Sequence, residues 1–458
     1  MGQTKDNAIS RIEAYFDEGS FKAELADLVA YPTESQTGRA EPHLRAYLND
    51  AIGPRLARSG FICEVFDNPI QGGGPLLVGT RTEDPAFETV LIYGHGDVVH
   101  GQVGQWADGM EPFALRETAD RYFGRGVADN KGQHLINIAA LEAVIAARGH
   151  LGFNVKVLLE MSEEIGSTGL AEFCALQSDL LAADVLIASD GPRVEPDTPT
   201  LFLGSRGSVN FDLKVTLRDG ANHSGNWGGL LRDPAIVLAH AIASISDKDG
   251  QILVPEWRPN SLSDAVKADL AGIPMDRPLI DDDWAEDGLN AAEKVFGWNS
   301  FAVLALDHGD PDAPQNAISC KARASCQLRF VVGTDEADIL PALRRHLDAA
   351  GFQAVEITCY EGVFPATRSS ADNPWVRRVT SLEHATGKAP HILPNLAGWI
   401  PNHCFSDVLG IPTVWVPHSY TGCSQHAPNE HVLKDVCSDA LRGMVGVFWD
   451  IGETPNAP

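Results

Sequence analysis

Polar and apolar positions follow two regimes along this chain. Up to about Gly204, short apolar runs alternate with amphipathic stretches, the order expected of a parallel α/β sheet flanked by helices. Ile9 to Val29 reads as helix, Phe61 to Phe66 as strand, and Val90 to Tyr93 as a buried strand running into GHGDVV. Gly132 to Arg148 reads as helix, Phe153 to Glu160 as strand, Gly169 to Leu181 as helix and Asp184 to Ala188 as strand. After Gly204 the period becomes two. Val209, Phe211, Leu213, Val215 and Leu217 alternate with other residues, as in a strand with one buried face. Ser325 to Val332 reads as another strand of this second domain, and the acidic, tryptophan-containing stretch Leu279 to Trp298 as an insertion or long loop. Around Gly362 to Asn373 the chain crosses back. A helix Pro374 to Thr386, a strand Thr413 to Val416 and a helix Lys434 to Trp449 then complete the first sheet. The expected fold class is α/β: a mixed, mostly parallel sheet flanked by helices (residues 1–203 and 364–458) carrying an inserted, smaller α+β domain (204–363).

The length of 458 residues supports this two-domain division, since one core rarely grows so large. Lys and Arg total 35 against 62 Asp and Glu, a formal charge of −27, which repels phosphate backbones and anionic membranes. No nucleic-acid or membrane partner is expected. MGQTKDNAIS lacks a charged-then-apolar leader pattern and no apolar run is long enough to span a bilayer, so the expected location is cytoplasmic. The eight cysteines are scattered without a CxxC pair, which suits reduced structural thiols rather than a disulfide frame or a thiolate zinc site. Cys423, three residues before His426, is the one thiol placed to join a metal site. QGGGP at Gln71 to Pro75 reads as a turn, because no GK[ST] follows it as a phosphate loop requires.

The chemistry lies beyond the strand ends, where open α/β sheets place their ligand sites. His95 and Asp97 are two apart in an extended segment and face the same side, so His95 can bind a metal while Asp97 orients its ring. Glu163 and Glu164 follow the apolar run VKVLLEMS. Adjacent glutamates point apart, so one can ligate a metal while the other stays unligated and accepts a proton. Asp129 in GRGVADNKG and Asp190 in LIASDGP each end an apolar run, where a helix N-cap is the competing role. His426 lies in SQHAPNE. Singly, each has a mundane reading as surface loop, solvated helix end or ordinary polar histidine; together they form an imidazole and carboxylate set suited to Zn²⁺, Mn²⁺ or Co²⁺.

The ordered motifs GHGDVV, GRGVADNKG, EMSEEIGS, SDGP and SQHAPNE, which cover nearly the whole chain, resemble the aminoacylase, glutamate carboxypeptidase and carnosine dipeptidase family of di-metal hydrolases, most closely its cytosolic dipeptidase branch. The resemblance implies two divalent ions: His95 and Asp190 on one, Glu164 and His426 on the other, Asp129 bridging, Asp97 orienting His95 and Glu163 as general base. It also implies a cis peptide after Asp129. In the inserted domain, by this resemblance a lid and dimerisation domain, GANHSG resembles the segment whose histidine, here His223, reaches into a partner subunit's active site. Asn316 in PQNAIS resembles the substrate-binding polar residue, and Arg329 in CQLRFVV the arginine that holds a substrate carboxylate in its planar fork. One departure stands out. Where the dipeptidase branch carries Gly-Gly-Ser-Ile-Pro, this chain has Ala397-Gly398-Trp399-Ile400-Pro401, and Trp399 either packs away or narrows the substrate pocket.

The implied function is hydrolysis of an amide bond in a small substrate such as a dipeptide, by water activated between two ions with Glu163 as base, in a homodimer. Deacylation or desuccinylation of an acyl amino acid, or cleavage of an aromatic amide or amine, is open to the same chemistry. A non-catalytic metal-binding protein is the reading from a different class. Retention of both Asp97 and Glu163 argues against it, since a structural site needs no unligated base.

Overall fold

The computed structural model describes residues 4–37, 41–275, 280–380 and 382–453. Met1 to Gln3, Leu279 at the head of the expected insertion, Ser381 in the expected 374–386 helix and the last five residues lie outside this set. The chain forms two compact units. The larger holds the described residues up to Gly204, Ser369–Leu393 and those from Ile400 onward; the smaller holds Ser205–Arg368 and Pro394–Trp399.

In the larger unit the expected first helix is two, α1 (Lys5–Asp17) and α2 (Ser20–Val29). The Thr4 side chain caps α1, and Gly19 between them sits at φ +82°, a conformation glycine adopts without a side-chain clash. The strands follow as β1 (Ile62–Phe66), β2 (Leu76–Arg81) and β3 (Thr89–His95), then α3 (Lys131–Arg148), β4 (Asn154–Glu160), β5 (Val185–Ala188) and β6 (Thr200–Phe202). The expected helix Gly169 to Leu181 is broken at Gln177 into Leu170–Leu176 and Ser178–Leu181.

The smaller unit contributes β7 (Gly207–Thr216), β8 (Asn222–His223), α4 (Pro234–Ile245), β9 (Ser300–Asp307), β10 (Ala317–Ile318), β11 (Lys321–Phe330), α5 (Ile339–Ala349) and β12 (Val355–Phe364). Its four-stranded sheet, β9-β11-β7-β12, is antiparallel throughout. Val209, Phe211, Leu213 and Val215 on β7 join Ala322, Ala324, Cys326, Leu328 and Phe330 on β11 in one buried layer with residues of α4 and α5. The interleaved positions are polar, the alternation of an antiparallel sheet covered on one face. The acidic stretch is mostly turn and loop but includes a short helix, Ala291–Phe296, with Asn290 and Glu293 forming its capping box.

The chain closes the larger unit with β13 (His391–Leu393), β14 (Thr413–Trp415) and α6 (Lys434–Glu453). The eight-stranded sheet runs β1-β2-β4-β3-β5-β14-β6-β13. The β4-β3-β5-β14 run is parallel, while β1-β2, β2-β4 and β14-β6 are antiparallel, so the sheet is mixed with a parallel centre. Helices α1, α3 and α6 pack on one another over this sheet, their apolar faces in one core with Val90, Ile92, Val155, Val157 and Val414. The parallel centre brings the carboxyl ends of β3, β4 and β5 to one edge.

Candidate metal centre

At that edge seven side chains chosen from the sequence come together. His95 ends β3, Glu163 and Glu164 form a short 3-10 turn just past β4, and Asp190 lies two residues past β5. Asp129 immediately precedes Asn130, the N-cap of α3, and His426 arrives from the loop after β14 with φ +60°. Two groups have mutually adjacent ligand atoms, all within 4.8 Å: His95, Asp129 and Asp190, and Asp129, Glu164 and His426. Asp129 belongs to both. Its Oδ1 lies 2.9 Å from His95 Nε2 and its Oδ2 3.0 Å from His426 Nε2, so its two oxygens face different groups. Asp190 Oδ2 is 3.5 Å from His95 Nε2, and Glu164 Oε2 is 3.1 Å from His426 Nε2. The Asp129–Asn130 peptide is cis.

Asp97 reaches both His95 and the glutamate turn. The imidazole Nδ1 lies 3.1 Å from the Asp97 main-chain oxygen and 3.4 Å from its carboxylate Oδ1. The carboxylate also accepts from the backbone N–H groups of Glu163 and Glu164, each at 3.1 Å. One fully buried carboxylate thus ties the β3 end to the glutamate turn. Gly96 between them is required: a Cβ there would stand 2.5 Å from the Tyr47 ring. Glu163 Oε2 is 3.9 Å from His95 Nε2, beside the two groups and a member of neither.

The charge balance fits cations. Asp97, Asp129, Asp190, Glu163 and Glu164 crowd around only two imidazoles, so without positive ions these buried carboxylates repel one another. Burial, together with Asp190, Glu164 and Asp129, pushes Glu163 well above the usual carboxylate range even though His95 pulls the other way. Burial and the charge of Asp129 raise Glu164 to about 7. Against its own burial, hydrogen bonds from His426 and His95 hold the Asp129 carboxyl well below that range. Asp129 and Glu164 raise His426 to about 11, and His95 is raised by Asp129, Asp190 and Asp97 despite its burial. Cys423 joins neither group; burial raises its thiol to about 11, so it stays protonated.

Two supporting residues escaped the sequence reading. Buried Glu430 accepts from the N–H groups of Gly126, Ala128 and Asp129 at 3.0–3.2 Å and pairs with Arg125 at 2.8 Å, shaping the loop that carries Asp129. Its only sequence signal is its place four residues after His426. Gln425 donates to Asp129 Oδ2.

The remaining candidates lie in the smaller unit. His223 pairs with Ala317 across β8 and β10, and Ser224 N–H donates to the Asn316 carbonyl at 2.9 Å, so His223 and Asn316 are exposed neighbours. Arg329 lies on β11 opposite Ser208 and Ser300, and burial lowers its pKa. Gly398 and Trp399 lie on the short segment that joins this unit, where the half-buried indole of Trp399 packs on Phe364 with ring centroids 4.8 Å apart.

Residues 91–449 match the model of peptidase family M20/M25/M40. The chain is 25% identical over 381 residues to the mouse Beta-Ala-His dipeptidase, covering 78% of this chain and 76% of that protein. It is 31% identical over 234 residues to the cysteinylglycine-S-conjugate dipeptidase of Corynebacterium striatum, half of each chain. The fold is that of the di-peptidase Dug1p from Saccharomyces cerevisiae, with a TM-score of 0.81 at 20% identity over the full length of both chains. The chain belongs to peptidase family M20/M25/M40 and is a hydrolase of the metallopeptidase class.

Proposed function

We propose that this chain is a di-metal dipeptidase that cleaves the amide bond of a small, dipeptide-like substrate. The observation that carries the reading is the pair of ligand groups sharing Asp129 in a member of this peptidase family. His95 and Asp190 would hold one divalent ion and Glu164 and His426 the other, with Asp129 common to both ligand groups. Zn²⁺, Mn²⁺ and Co²⁺ all suit this donor set. Bound there, the ions supply Lewis acidity to the scissile carbonyl and to the attacking water.

Asp97 fixes the His95 ring and the backbone of the glutamate turn, so Glu163 is held beside the ligands without becoming one. Its carboxylate takes a proton from the attacking water and returns it to the leaving amine nitrogen. His223 and Asn316, side by side on the smaller unit, offer donors to the substrate carbonyl, His223 from the partner subunit of a homodimer; Arg329 holds the substrate carboxylate. The names of the relatives, Beta-Ala-His and cysteinylglycine-S-conjugate dipeptidase, support a dipeptide as substrate. No helix among the described residues is long and apolar enough to cross a membrane, and we place the enzyme in the cytoplasm. A second reading, an acyl amino acid or aromatic amide as substrate, draws support from the Trp399–Phe364 aromatic pair where the dipeptidase pattern has a small hydroxyl residue, with Gly398 beside it.

The test is mass-spectrometric product analysis of the Zn²⁺- or Mn²⁺-loaded protein on dipeptides, N-acyl amino acids and aromatic amides. Chelator-sensitive release of free amino acids from a dipeptide is the expected result. Cleavage of acyl or aryl amides alone would replace the dipeptide reading with the second one, and chelator-insensitive cleavage would overturn both.

A further inference from the structure

Helix α3 is polar where a buried helix should be apolar. Asn130 at its N-cap and Gln133 and Asn137 within it lie on one side, at 0–1% exposure. Besides bonds within their own segment, from Gln133 Nε2 to the Ala128 carbonyl at 2.8 Å and between Asn130 Oδ1 and His134 Nδ1 at 3.1 Å, they reach the residues on either side of Asp190. Asn130 Nδ2 donates to the Ser189 carbonyl at 2.7 Å, and Asn137 Nδ2 donates to Ser189 Oγ at 2.9 Å. His418 Nε2 lies 2.9 Å from the same Oγ and 3.3 Å from Asn137 Oδ1. The Gly191 carbonyl accepts from Ser419 Oγ at 3.0 Å and from Gln133 Nε2 at 3.4 Å, while Gln133 Oε1 accepts the His418 N–H at 2.7 Å. Asp190 itself bonds the Gly191 N–H through Oδ1, leaving Oδ2 aimed at His95.

Stability alone gives little reason for this arrangement. A buried hydrogen bond adds little net stability, and an unmade one costs more than a made one contributes. His418 Nδ1 is buried without a hydrogen-bond partner, so the network is not even fully satisfied. What it does achieve is restraint of the Ser189–Asp190 peptide, through the Ser189 carbonyl, and of the Gly191–Pro192 peptide that follows, so that the chain is held on either side of Asp190. The other ligand group lacks such restraint on one member, since the His426 side chain is 53% exposed.

We infer that the Asn137–Ser189–His418 cluster is a positioning device that aims Asp190 and thereby sets metal affinity at the His95–Asp129–Asp190 position, not at the Asp129–Glu164–His426 position. The inference rests on Asp190 being a ligand, as proposed above. Ser189→Ala removes the shared hydroxyl while leaving Asn137 and His418 able to bond each other.

The experiment is calorimetric titration of chelator-stripped wild type, Ser189→Ala and Asp190→Asn with Zn²⁺, together with thermal unfolding of each metal-free protein. Ser189→Ala is expected to weaken one of the two binding steps by about 10- to 100-fold and to leave the other unchanged. A lowered melting temperature with both binding steps unaltered, or equal weakening of both steps, would overturn the inference. Asp190→Asn separates the two claims: if it leaves both steps intact, the ligand reading itself fails. If it removes one step while Ser189→Ala changes nothing, only the positioning role fails. Should Ser189→Ala not fold, His418→Gln, which keeps the backbone bond to Gln133, carries the same expectation and the same refutation.

Discussion

Glu163 and Glu160 lie three residues apart in different surroundings. Glu163 stands beside the ligands with its carboxylate clear of both groups, so Glu163→Gln should lower turnover by about 10²–10⁴-fold, the usual weight of general acid–base catalysis, while bound metal is unchanged. Metal analysis and initial rates on one preparation check it, and near-normal turnover would remove the role. Glu160 is buried, accepts hydrogen bonds from Tyr93 and Ser167 at 2.6 and 2.9 Å, and is raised from 4.5 to about 7 by burial and by Asp97. The folded metal-free state therefore keeps a proton that the unfolded state releases. The stability from this group is fully present below about pH 4.5, declines as pH rises towards 7, and is lost above it. Glu160→Gln should accordingly stabilise the metal-free protein relative to wild type at pH 8 and have little effect at pH 4; denaturant unfolding at the two pH values checks this, and equal effects would contradict it. Glu430→Ala, which strands the buried Arg125 guanidinium, should cost about 3–5 kcal/mol in the same assay. The candidates His95, Asp129, Glu163, Glu164 and Asp190 were legible in the sequence because they follow apolar runs, and His426, in a polar loop, through the resemblance carried by SQHAPNE. Glu430, Gln425 and the polar side of α3 were not, because most of their partners, backbone and side chain alike, are far away in sequence.

The strands that position the site announce themselves as apolar runs, and β3, β4 and β5 lie within two residues of where the pattern puts them. Other elements were hidden for identifiable reasons. The α1–α2 break falls in the short polar stretch Asp17-Glu18-Gly19-Ser20 between Phe16 and Phe21, and the left-handed φ of Gly19 that ends α1 shows only in the structure. Strand β2 was missed because LLVGTR is a short run with an internal glycine, directly after a glycine-rich turn. Within α3, Gly132 illustrates how local propensity yields to packing. Alanine in a helix ordinarily gains about 1 kcal/mol over glycine. Here its Cβ would stand 2.1 Å from the Val127 carbonyl oxygen, in the loop that carries Asp129. Gly132→Ala should therefore destabilise the protein, by about 1–3 kcal/mol, and weaken metal binding; a raised melting temperature would show that the loop yields.

At the scale of the whole molecule, the change of hydrophobic period near Gly204 marks where the second unit begins. The return of Pro394–Trp399 to that unit has no such signal, because it depends on pairing between distant residues such as Ser205 and Leu396. The proposed homodimer makes a prediction of its own. If His223 serves the partner's site, inactive Glu163→Gln and inactive His223→Ala proteins, mixed and allowed to exchange subunits, should regain up to about a quarter of wild-type activity, since half the pairs are mixed and each holds one intact site. No recovery after demonstrated exchange would place His223 outside the partner's site. The central claim, that Asp129 joins two ions into one hydrolytic centre, is tested most directly by titrating chelator-stripped protein with Zn²⁺ or Mn²⁺ while following bound metal and dipeptide hydrolysis together, alongside Asp129→Asn. The account predicts saturation at about two ions per chain, hydrolysis that rises with metal loading, and loss of both in the variant. Saturation at a single ion, hydrolysis before any metal is added, or an Asp129→Asn protein that binds and cleaves like wild type would contradict it.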